Sequence, residues 1–214
     1  MRMRRKKHRD ERYENCIDLA IESFDNIKSL KDIFHNDNPI HIEIGCGKGR
    51  FMLNLAKLNP DINYIAIEKS LDVIIMAMEK IKESGITNVK FFAGDVEKLR
   101  EKGYESEVAR IYVNFCDPWK KSGQAKRRLT HANYLSLYEK LLKENGELFF
   151  KTDNRKLFEF SLNSFAAFPL KMQNISLDLH NSGYEGNIMT EYEENFSSQG
   201  FPIFRCECVF NIKK

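Results

Sequence analysis

The sequence predicts an α/β fold in which a mostly parallel sheet of seven strands carries helices on both faces and includes an antiparallel last strand. From about residue 40, short apolar runs alternate with longer segments whose apolar residues recur every three to four positions. This alternation is typical of strands joined by crossover helices, and so of a parallel sheet covered on both faces. The last two strand-like runs lack a full-length helix between them, and we expect them to pair antiparallel.

Each predicted element is bounded by its own residue pattern. Gly85 closes the second helix at the position where a left-handed residue commonly ends a helix, and Gly146 closes the third. In chain order the elements are the strand PIHIEIG, the helix RFMLNLAKLN, the strand NYIAIE, the helix LDVIIMAMEKIKESG, the strands NVKFFAGD and RIYVNFCD, the helix HANYLSLYEKLLKENG, the strand ELFFKTD, the helix KLFEFSLNSFAAF and the strands KMQNISLDL and PIFRCECVF.

Composition and charge favour a globular protein with a polyanionic partner. Apolar residues make up 42% of the 214 residues and charged residues 30%, an ordinary balance for a folded domain. The formal net charge is only +3, but cations cluster in MRMRRKKHRDER and again between residues 120 and 128. Two such clusters in a nearly neutral chain indicate a polyanion such as nucleic acid.

The five cysteines form no C-x-x-C pair, and their odd number without a signal peptide indicates a reducing cytoplasm. Cys206 and Cys208 alternate in FRCECVF and share one face of a predicted strand, where we expect them to fill the core rather than bind a metal. No apolar run reaches the length of a membrane span. Neither a membrane nor a metal is expected as a partner, and both a monomer and a homodimer remain open.

Carboxylates follow four of the predicted strands. The second to fifth strands end in Glu68, Asp95, Asp117 and Asp153, and the first strand runs into a glycine-rich turn. In parallel sheets covered by helices, ligands bind outside the carboxyl ends of the strands. The sequence therefore predicts a ligand site lined by acids at this edge of the sheet.

The turn after the first strand reads EIGCGKGRF, and its glycines let a ligand approach the backbone closely. Arg50 stands where the dinucleotide fingerprint has its third glycine, and Lys48 precedes a glycine, which excludes a phosphate-binding P-loop. A G-x-G-x-G turn preceded by an acid, here Glu43, is similar to the turn of S-adenosylmethionine methyltransferases. The glycines are Gly45, Gly47 and Gly49.

Two further acids fit the same ligand. Glu68 ends the second strand and can accept hydrogen bonds from both hydroxyl groups of a ribose, a role also found in NAD enzymes. Asp95 follows the third strand, where the edge of an adenine would lie. The alternative interpretation of Asp95 is a helix N-cap.

Four motifs occur in order along the rest of the chain: DPW, KRRLT, FKTDN and TEYEENF. Together they resemble the bacterial single-chain tRNA (guanine-N7-)-methyltransferase family, and the resemblance covers most of the chain. It implies a Rossmann-like class I S-adenosylmethionine-dependent methyltransferase fold and one domain over residues 1–214, with a basic flexible tail (1–14) and a catalytic core (40–214). The implied reaction transfers a methyl group from S-adenosyl-L-methionine to N7 of a variable-loop guanine in tRNA.

The resemblance also assigns roles to residues. Asp117 would be catalytic, and Lys120 and Ser122–Gln124 depart from the family pattern, which makes this loop less basic. The basic tail would add salt-dependent affinity for tRNA. The implied cofactor-binding residues are Glu43, Gly45, Gly47, Gly49, Glu68, Asp95 and Asp117; the substrate-binding residues are Lys121, Asp153, Thr190, Glu191, Tyr192 and Glu193; and the tRNA contacts are Lys126, Arg127 and Arg128.

The chemistry of this reaction fits an acidic site. Guanine N7 carries a lone pair and no proton, so its attack on a sulfonium methyl group requires no general base. Carboxylates attract the cationic donor and stabilise the positive charge that develops on the purine. They can also accept hydrogen bonds from N1–H and the exocyclic amine of guanine. Trp119 or Tyr192 could stack on the exposed base, although the Trp119 ring could instead pack under its loop.

Three alternatives remain open. In a methyltransferase acting on an amine, a polar residue followed by prolines and an aromatic grips the amine, and CDPW has one proline only. A pyrimidine C5 methyltransferase would use Cys116 as nucleophile, which the adjacent Asp117 and the lack of a Pro-Cys pair disfavour. An RNA-binding module with a degenerate cofactor site is disfavoured by the intact glycine turn and the row of acids.

Overall fold

Seven strands form one sheet within residues 8–211, the part of the chain that the computed structural model describes. The strands are β1 (Ile40–Ile44), β2 (Asn63–Glu68), β3 (Val89–Ala93), β4 (Val108–Asn114), β5 (Leu142–Thr152), β6 (Lys171–Ser176) and β7 (Phe204–Val209). Their order is β3-β2-β1-β4-β5-β7-β6. β2 pairs in parallel with β1 and β3, and β5 with β4, whereas β7 runs antiparallel to β5 and β6. The predicted sheet, with its antiparallel last strand, is confirmed.

The α-helices are α1 (Arg9–Glu14), α2 (Arg50–Leu58), α3 (Leu71–Ser84), α4 (Ala132–Leu141), α5 (Arg155–Ala166) and α6 (Glu191–Ser197). Their ends follow capping residues in the sequence. Gly85 adopts a φ of 71° after the last residue of α3, as predicted for a helix-closing glycine. At the start of α5, the Asn154 side chain accepts a hydrogen bond from the backbone N–H of Leu157 (2.9 Å). No helix within residues 8–211 is long and apolar enough to cross a membrane.

The chain divides into two compact units, of which the first extends to Gly103 and contains β1 to β3. In this unit, α1 is attached to α3 by an ion pair. The guanidinium group of Arg12 donates to both carboxylate oxygens of Glu79, at 2.6 and 2.5 Å. The predicted basic tail, residues 1–14, therefore includes a helix in its inner part, and residues 1–7 lie outside the described residues.

The second unit contains β4 to β7, and its core is built from aromatic rings. The rings of Phe150 in β5 and Phe158 in α5 stack with centroids 6.1 Å apart, and Phe158 lies 5.2 Å from Phe204 in β7. Cys206 and Cys208 are fully buried in β7, as predicted for core residues. The strands that present the second half of the predicted site residues are thus held by an apolar core.

One predicted boundary is wrong. The helix expected to continue to Gly146 ends at Leu141, and β5 begins at the next residue. Leu142 is extended (φ −75°, ψ 133°), fully buried, and pairs with Val108 of β4. Gly146 lies inside β5, where an added Cβ would come within 2.8 Å of the Leu142 Cβ. This glycine therefore permits close packing within the strand and does not end a helix.

Candidate functional site

The predicted glycine turn of the first unit adopts the conformation that glycine favours. Gly45, Gly47 and Gly49 have φ angles of 82°, 54° and 78°, in the left-handed region. A Cβ on Gly49 would come within 2.6 Å of the Ala77 Cβ in α3, so this position requires glycine for packing. A Cβ on Gly45 or Gly47 would meet no atom within 4 Å. The first two glycines therefore border open space beyond the end of β1.

Glu68 is fixed beside this turn by backbone donors. Its Oε2 accepts a hydrogen bond from the N–H of Gly47 (3.3 Å), and its Oε1 accepts one from the N–H of Ser70 (2.9 Å). Each carboxylate oxygen can accept more than one hydrogen bond. The carboxylate is therefore oriented at the turn with capacity left for the hydroxyl groups of a ligand.

Two predicted acids, Glu43 and Glu68, lie close to the glycine turn. Glu43 lies in β1 and is only 1% exposed. The pKa of the neighbouring Cys46 thiol is raised well above its usual range, first by burial and then by the charges of Glu43 and Glu68. Glu43 of β1 and Glu68 of β2 thus both influence the thiol of Cys46 within the glycine turn.

Asp95 has partners of its own in the described structure. Its side chain caps the 3₁₀ helix Val96–Leu99, because its Oδ1 accepts a hydrogen bond from the N–H of Glu97 (3.1 Å). Its Oδ2 lies 2.6 Å from the Lys69 ammonium group. The alternative interpretation of Asp95 as a helix N-cap is confirmed, and its contact with adenine stays a prediction.

In the second unit, Asp117 lies on a loop with unusual backbone angles. The carboxylate is exposed, whereas Phe115 and Trp119 on either side have φ angles of 53° and 42°. Positive φ is rare for aromatic residues, and it persists only where surrounding contacts enforce it. One such contact is the hydrogen bond from the N–H of Phe115 to the carbonyl oxygen of Lys151 in β5 (2.9 Å).

The structure brings together two predicted substrate residues, Asp153 and Tyr192. The Tyr192 hydroxyl donates to Oδ2 of Asp153 (3.3 Å), and burial together with the Asp153 charge raises the pKa of Tyr192. The tyrosine ring is 44% exposed; it stacks on Phe196 (4.2 Å) and lies 5.1 Å from Phe115. A carboxylate and an exposed aromatic ring therefore lie side by side after β5.

Glu193 differs from its neighbours in the predicted substrate-binding segment because it is completely buried. Its Oε2 accepts a hydrogen bond from Lys151 (2.7 Å), while its Oε1 contacts Asn187 (2.6 Å) and His180 (3.1 Å). Thr190 caps α6 by accepting from the N–H of Glu193 (2.9 Å). Both oxygens of this carboxylate are thus engaged by the protein itself.

Lys151, Asn187 and His180 support the candidate site but were not predicted from the sequence. One signal was available for Lys151, which directly follows the apolar run LFF within the predicted strand ELFFKTD. A charged side chain in a buried strand is rarely left without a partner. No comparable feature of the sequence marks Asn187 or His180 as partners of Glu193. The remaining residue of the segment, Glu191, is half-buried as the first residue of α6.

The basic loop contains cations of two kinds. Lys121 and Lys126 are exposed, and Arg127 is exposed with its Cζ 4.2 Å from the centroid of the Trp119 ring. Arg128 points inward: it donates to two backbone carbonyl oxygens of the loop, and its Cζ lies 4.3 Å above the Phe160 ring. One face of Trp119 is therefore covered by an arginine of the same loop.

The cysteine-nucleophile alternative predicts that Cys116→Ala abolishes methyl transfer, whereas the structure predicts that this variant keeps the wild-type rate and pH profile. Burial, reinforced by Asp117, raises the pKa of Cys116 to about 12. The thiol is therefore almost entirely protonated at neutral pH, whereas the thiolate is the nucleophilic form. Incorporation of a labelled methyl group by both proteins across the neutral range checks this. Complete loss of transfer in the variant would revive the cysteine-nucleophile alternative.

The known proteins that this chain resembles are methyltransferases. A family model described as "Putative methyltransferase" matches residues 37–206. The tRNA (guanine-N(7)-)-methyltransferase of Clostridioides difficile is 51% identical over 209 residues, covering 97% of this chain and 98% of that protein. The enzyme of the same name from Bacillus subtilis is 50% identical over 208 residues, covering 97% and 98%. A crystal structure of the 16S rRNA methyltransferase KamB has a TM-score of 0.63 at 13% identity, covers 84% of this chain and 91% of that one, and shows a shared fold.

Proposed function

This chain belongs to the tRNA (guanine-N(7)-)-methyltransferase family, and we propose that it transfers a methyl group from S-adenosyl-L-methionine to N7 of a variable-loop guanine in tRNA. Identity of about half the residues over nearly the whole chain supports the reaction. The structural observation that supports it most directly is the Glu68 carboxylate, fixed by two backbone donors beside a left-handed glycine turn. This arrangement suits a nucleoside with two free ribose hydroxyl groups.

The residues of the first unit fit S-adenosylmethionine. Gly45 and Gly47 leave space for the ligand beside the backbone, and Glu68 would accept hydrogen bonds from its ribose. Glu43 adds negative charge, which favours a cationic ligand. When bound, S-adenosylmethionine supplies an electrophilic methyl group on a positively charged sulfur. Asp95 already caps a 3₁₀ helix and pairs with Lys69. Only the remaining hydrogen-bonding capacity of its carboxylate would be available to the adenine.

The residues of the second unit fit a purine acceptor. Guanine N7 needs no proton removed, so the protein has to orient the base and stabilise the positive charge on it. Asp153 would accept from the N1–H and the amine of guanine, and the exposed ring of Tyr192 would stack on the base. Asp117 would stabilise the charge that develops during transfer. Its exposed carboxylate is available for this role.

The reaction is tested with the purified full chain, bulk tRNA and labelled S-adenosylmethionine. Digestion and mass spectrometry locate the modified nucleotide, and borohydride reduction followed by aniline cleaves tRNA at N7-methylguanosine. We expect scission at one guanine of the variable loop. A methylated product that resists scission would contradict N7 transfer and favour the amine alternative. Failure to bind S-adenosylmethionine alone at near-millimolar concentration, measured by calorimetry, would favour the RNA-binding module.

Lys126→Ala and Arg127→Ala are each expected to weaken tRNA binding and flatten its salt dependence. Both cations are exposed, and each phosphate contact that is lost lowers the slope of log affinity against log salt by about 0.7 to 0.9. Filter binding at a series of salt concentrations measures the slope. Lys143→Ala, an exposed lysine outside the loop, is the control. A double variant with the wild-type slope would show that these cations do not contact phosphate.

The proposal extends to the partner and the place of action. tRNA is the macromolecular partner, and a bacterial tRNA-modifying enzyme acts in the cytoplasm. The five free cysteines agree with a reducing compartment. The cations within residues 1–7, which lie outside the described residues, are proposed to add salt-dependent affinity for tRNA.

A further inference from the structure

We propose that Arg128 is a positioning residue that holds the backbone around Trp119, and with it the loop of Asp117, and that it is not a contact to tRNA phosphate. The sequence groups Arg128 with Lys126 and Arg127 as one basic cluster. In the structure, however, its guanidinium group is used inside the protein. Its part in catalysis rests on the proposed function, whereas its part in holding the loop does not.

The contacts of Arg128 form a clamp on one residue. Its Nε donates to the carbonyl oxygen of Pro118 and its Nη2 to the carbonyl oxygen of Trp119, each at 3.0 Å. These two carbonyl groups belong to the peptide units on either side of the Trp119 Cα. Fixing both units fixes the backbone torsion angles of Trp119. The planar arginine fork can hold two acceptors in this way, and the lysine ammonium group cannot reproduce it.

The clamp acts where the backbone needs support. Trp119 has a φ of 42°, which is unfavourable for a bulky L-residue and is maintained only by surrounding contacts. Asp117, Pro118 and Trp119 belong to neither a helix nor a strand, so regular hydrogen bonding does not fix them. The Arg128 clamp supplies the missing constraint two residues from the Asp117 carboxylate.

Arg128 is itself anchored to the second unit. Its Cζ lies 4.3 Å from the centroid of the Phe160 ring in α5, which orients the guanidinium plane. Its carbonyl oxygen accepts from the N–H of His131 (2.9 Å), and the next carbonyl, of Leu129, accepts from the Tyr138 hydroxyl (3.0 Å). The clamp therefore connects the loop to α4 and α5, while exposed Lys126 has no such anchoring contacts among those described for its side chain.

The first test uses the single tryptophan of the chain as a reporter and needs neither tRNA nor activity. Emission and acrylamide quenching of Trp119 are compared in the wild type, Arg128→Lys, Arg128→Ala and the control Lys126→Ala. We expect both Arg128 variants to shift the emission to longer wavelength and increase quenching, with Lys126→Ala unchanged. Wild-type emission and quenching in Arg128→Lys would overturn the proposal. Thermal melts identify any variant that is unfolded. If Arg128→Ala does not fold, the result for Arg128→Lys alone tests the proposal.

The second test separates positioning from phosphate binding. We expect Arg128→Lys to lower kcat for tRNA methylation about ten- to hundredfold, because displacement of a catalytic group by about 1 Å costs about that much. The tRNA KM and the salt slope of binding should stay within error of wild type. Lys126→Ala should instead raise the tRNA KM and reduce the salt slope of binding. A reduced salt slope in Arg128→Ala, with kcat unchanged, would make Arg128 a phosphate contact and overturn the proposal. If the wild type itself does not methylate tRNA, the proposed function fails and the fluorescence test alone decides the clamp.

Discussion

Replacing Asp117 with alanine is expected to lower methyl transfer to tRNA by about 10²- to 10³-fold, or below detection, with the fold intact. The expected loss is the usual cost of removing one group that stabilises charge in a transition state. The side chain is exposed on its loop, so its removal leaves no cavity and no buried partner. Stability should therefore be unchanged while the rate collapses.

Single-turnover kinetics and calorimetric titration with S-adenosylmethionine separate the two roles assigned to Asp117. A loss of donor affinity alone, with single-turnover rate preserved at saturation, would restrict Asp117 to holding the cofactor. Asp61→Ala removes an exposed loop carboxylate elsewhere and serves as the matched control. A single-turnover rate of Asp117→Ala within about threefold of wild type would contradict the assignment, because threefold corresponds to only about 0.7 kcal/mol of transition-state stabilisation.

Glu193→Ala is expected to lower the free energy of unfolding by about 3–5 kcal/mol, the largest stability effect that we predict. The substitution leaves Lys151, whose side chain is 7% exposed, without the carboxylate 2.7 Å from its ammonium group. An uncompensated buried charge is costly, and Asn187 and His180 lose an acceptor as well. Because α6 carries Tyr192, substrate binding should weaken together with stability.

Urea denaturation of single and double variants measures this pair. Lys151→Met should also destabilise, and the double variant Lys151→Met, Glu193→Leu should recover much of the loss, because apolar residues can replace a buried ion pair. Glu159→Ala breaks the exposed pair with Arg155 and should cost less than about 1 kcal/mol. A comparable cost for Glu159→Ala and Glu193→Ala would show that burial does not set the strength of the Lys151–Glu193 pair.

The sequence predicts those parts of the fold that depend on local pattern. Alternating strand and helix periodicities located β1 to β7, and Gly85 marked the end of α3. The end of α4 was missed because its periodicity continues past Leu141, while pairing of Leu142 with Val108, 34 positions earlier in the chain, decides the boundary. α6 was missed because a seven-residue helix is too short for its periodicity to stand out.

In the candidate site, too, local sequence pattern predicts some features, whereas others depend on long-range contacts. Strand ends and motifs identified which residues to examine, and the pairing of Asp153 with Tyr192 agrees with their shared predicted role. Sequence alone could not separate residues of one motif that face in different directions. Glu193 is buried beside exposed Tyr192, and Arg128 contacts Pro118, Trp119 and Phe160 beside exposed Arg127. These orientations depend on long-range partners that no local pattern reveals.

The antiparallel position of β7 has a consequence for synthesis on the ribosome. β6 leaves the ribosome before β7, yet its hydrogen-bonding neighbour in the sheet is β7, which separates it from β5. Until β7 emerges, β5 has an open edge and β6 has no strand to join. Nascent chains that end before Phe204 should therefore expose the unpaired backbone groups of β5 and β6 to chaperones. The second unit should become protease-resistant late in translation.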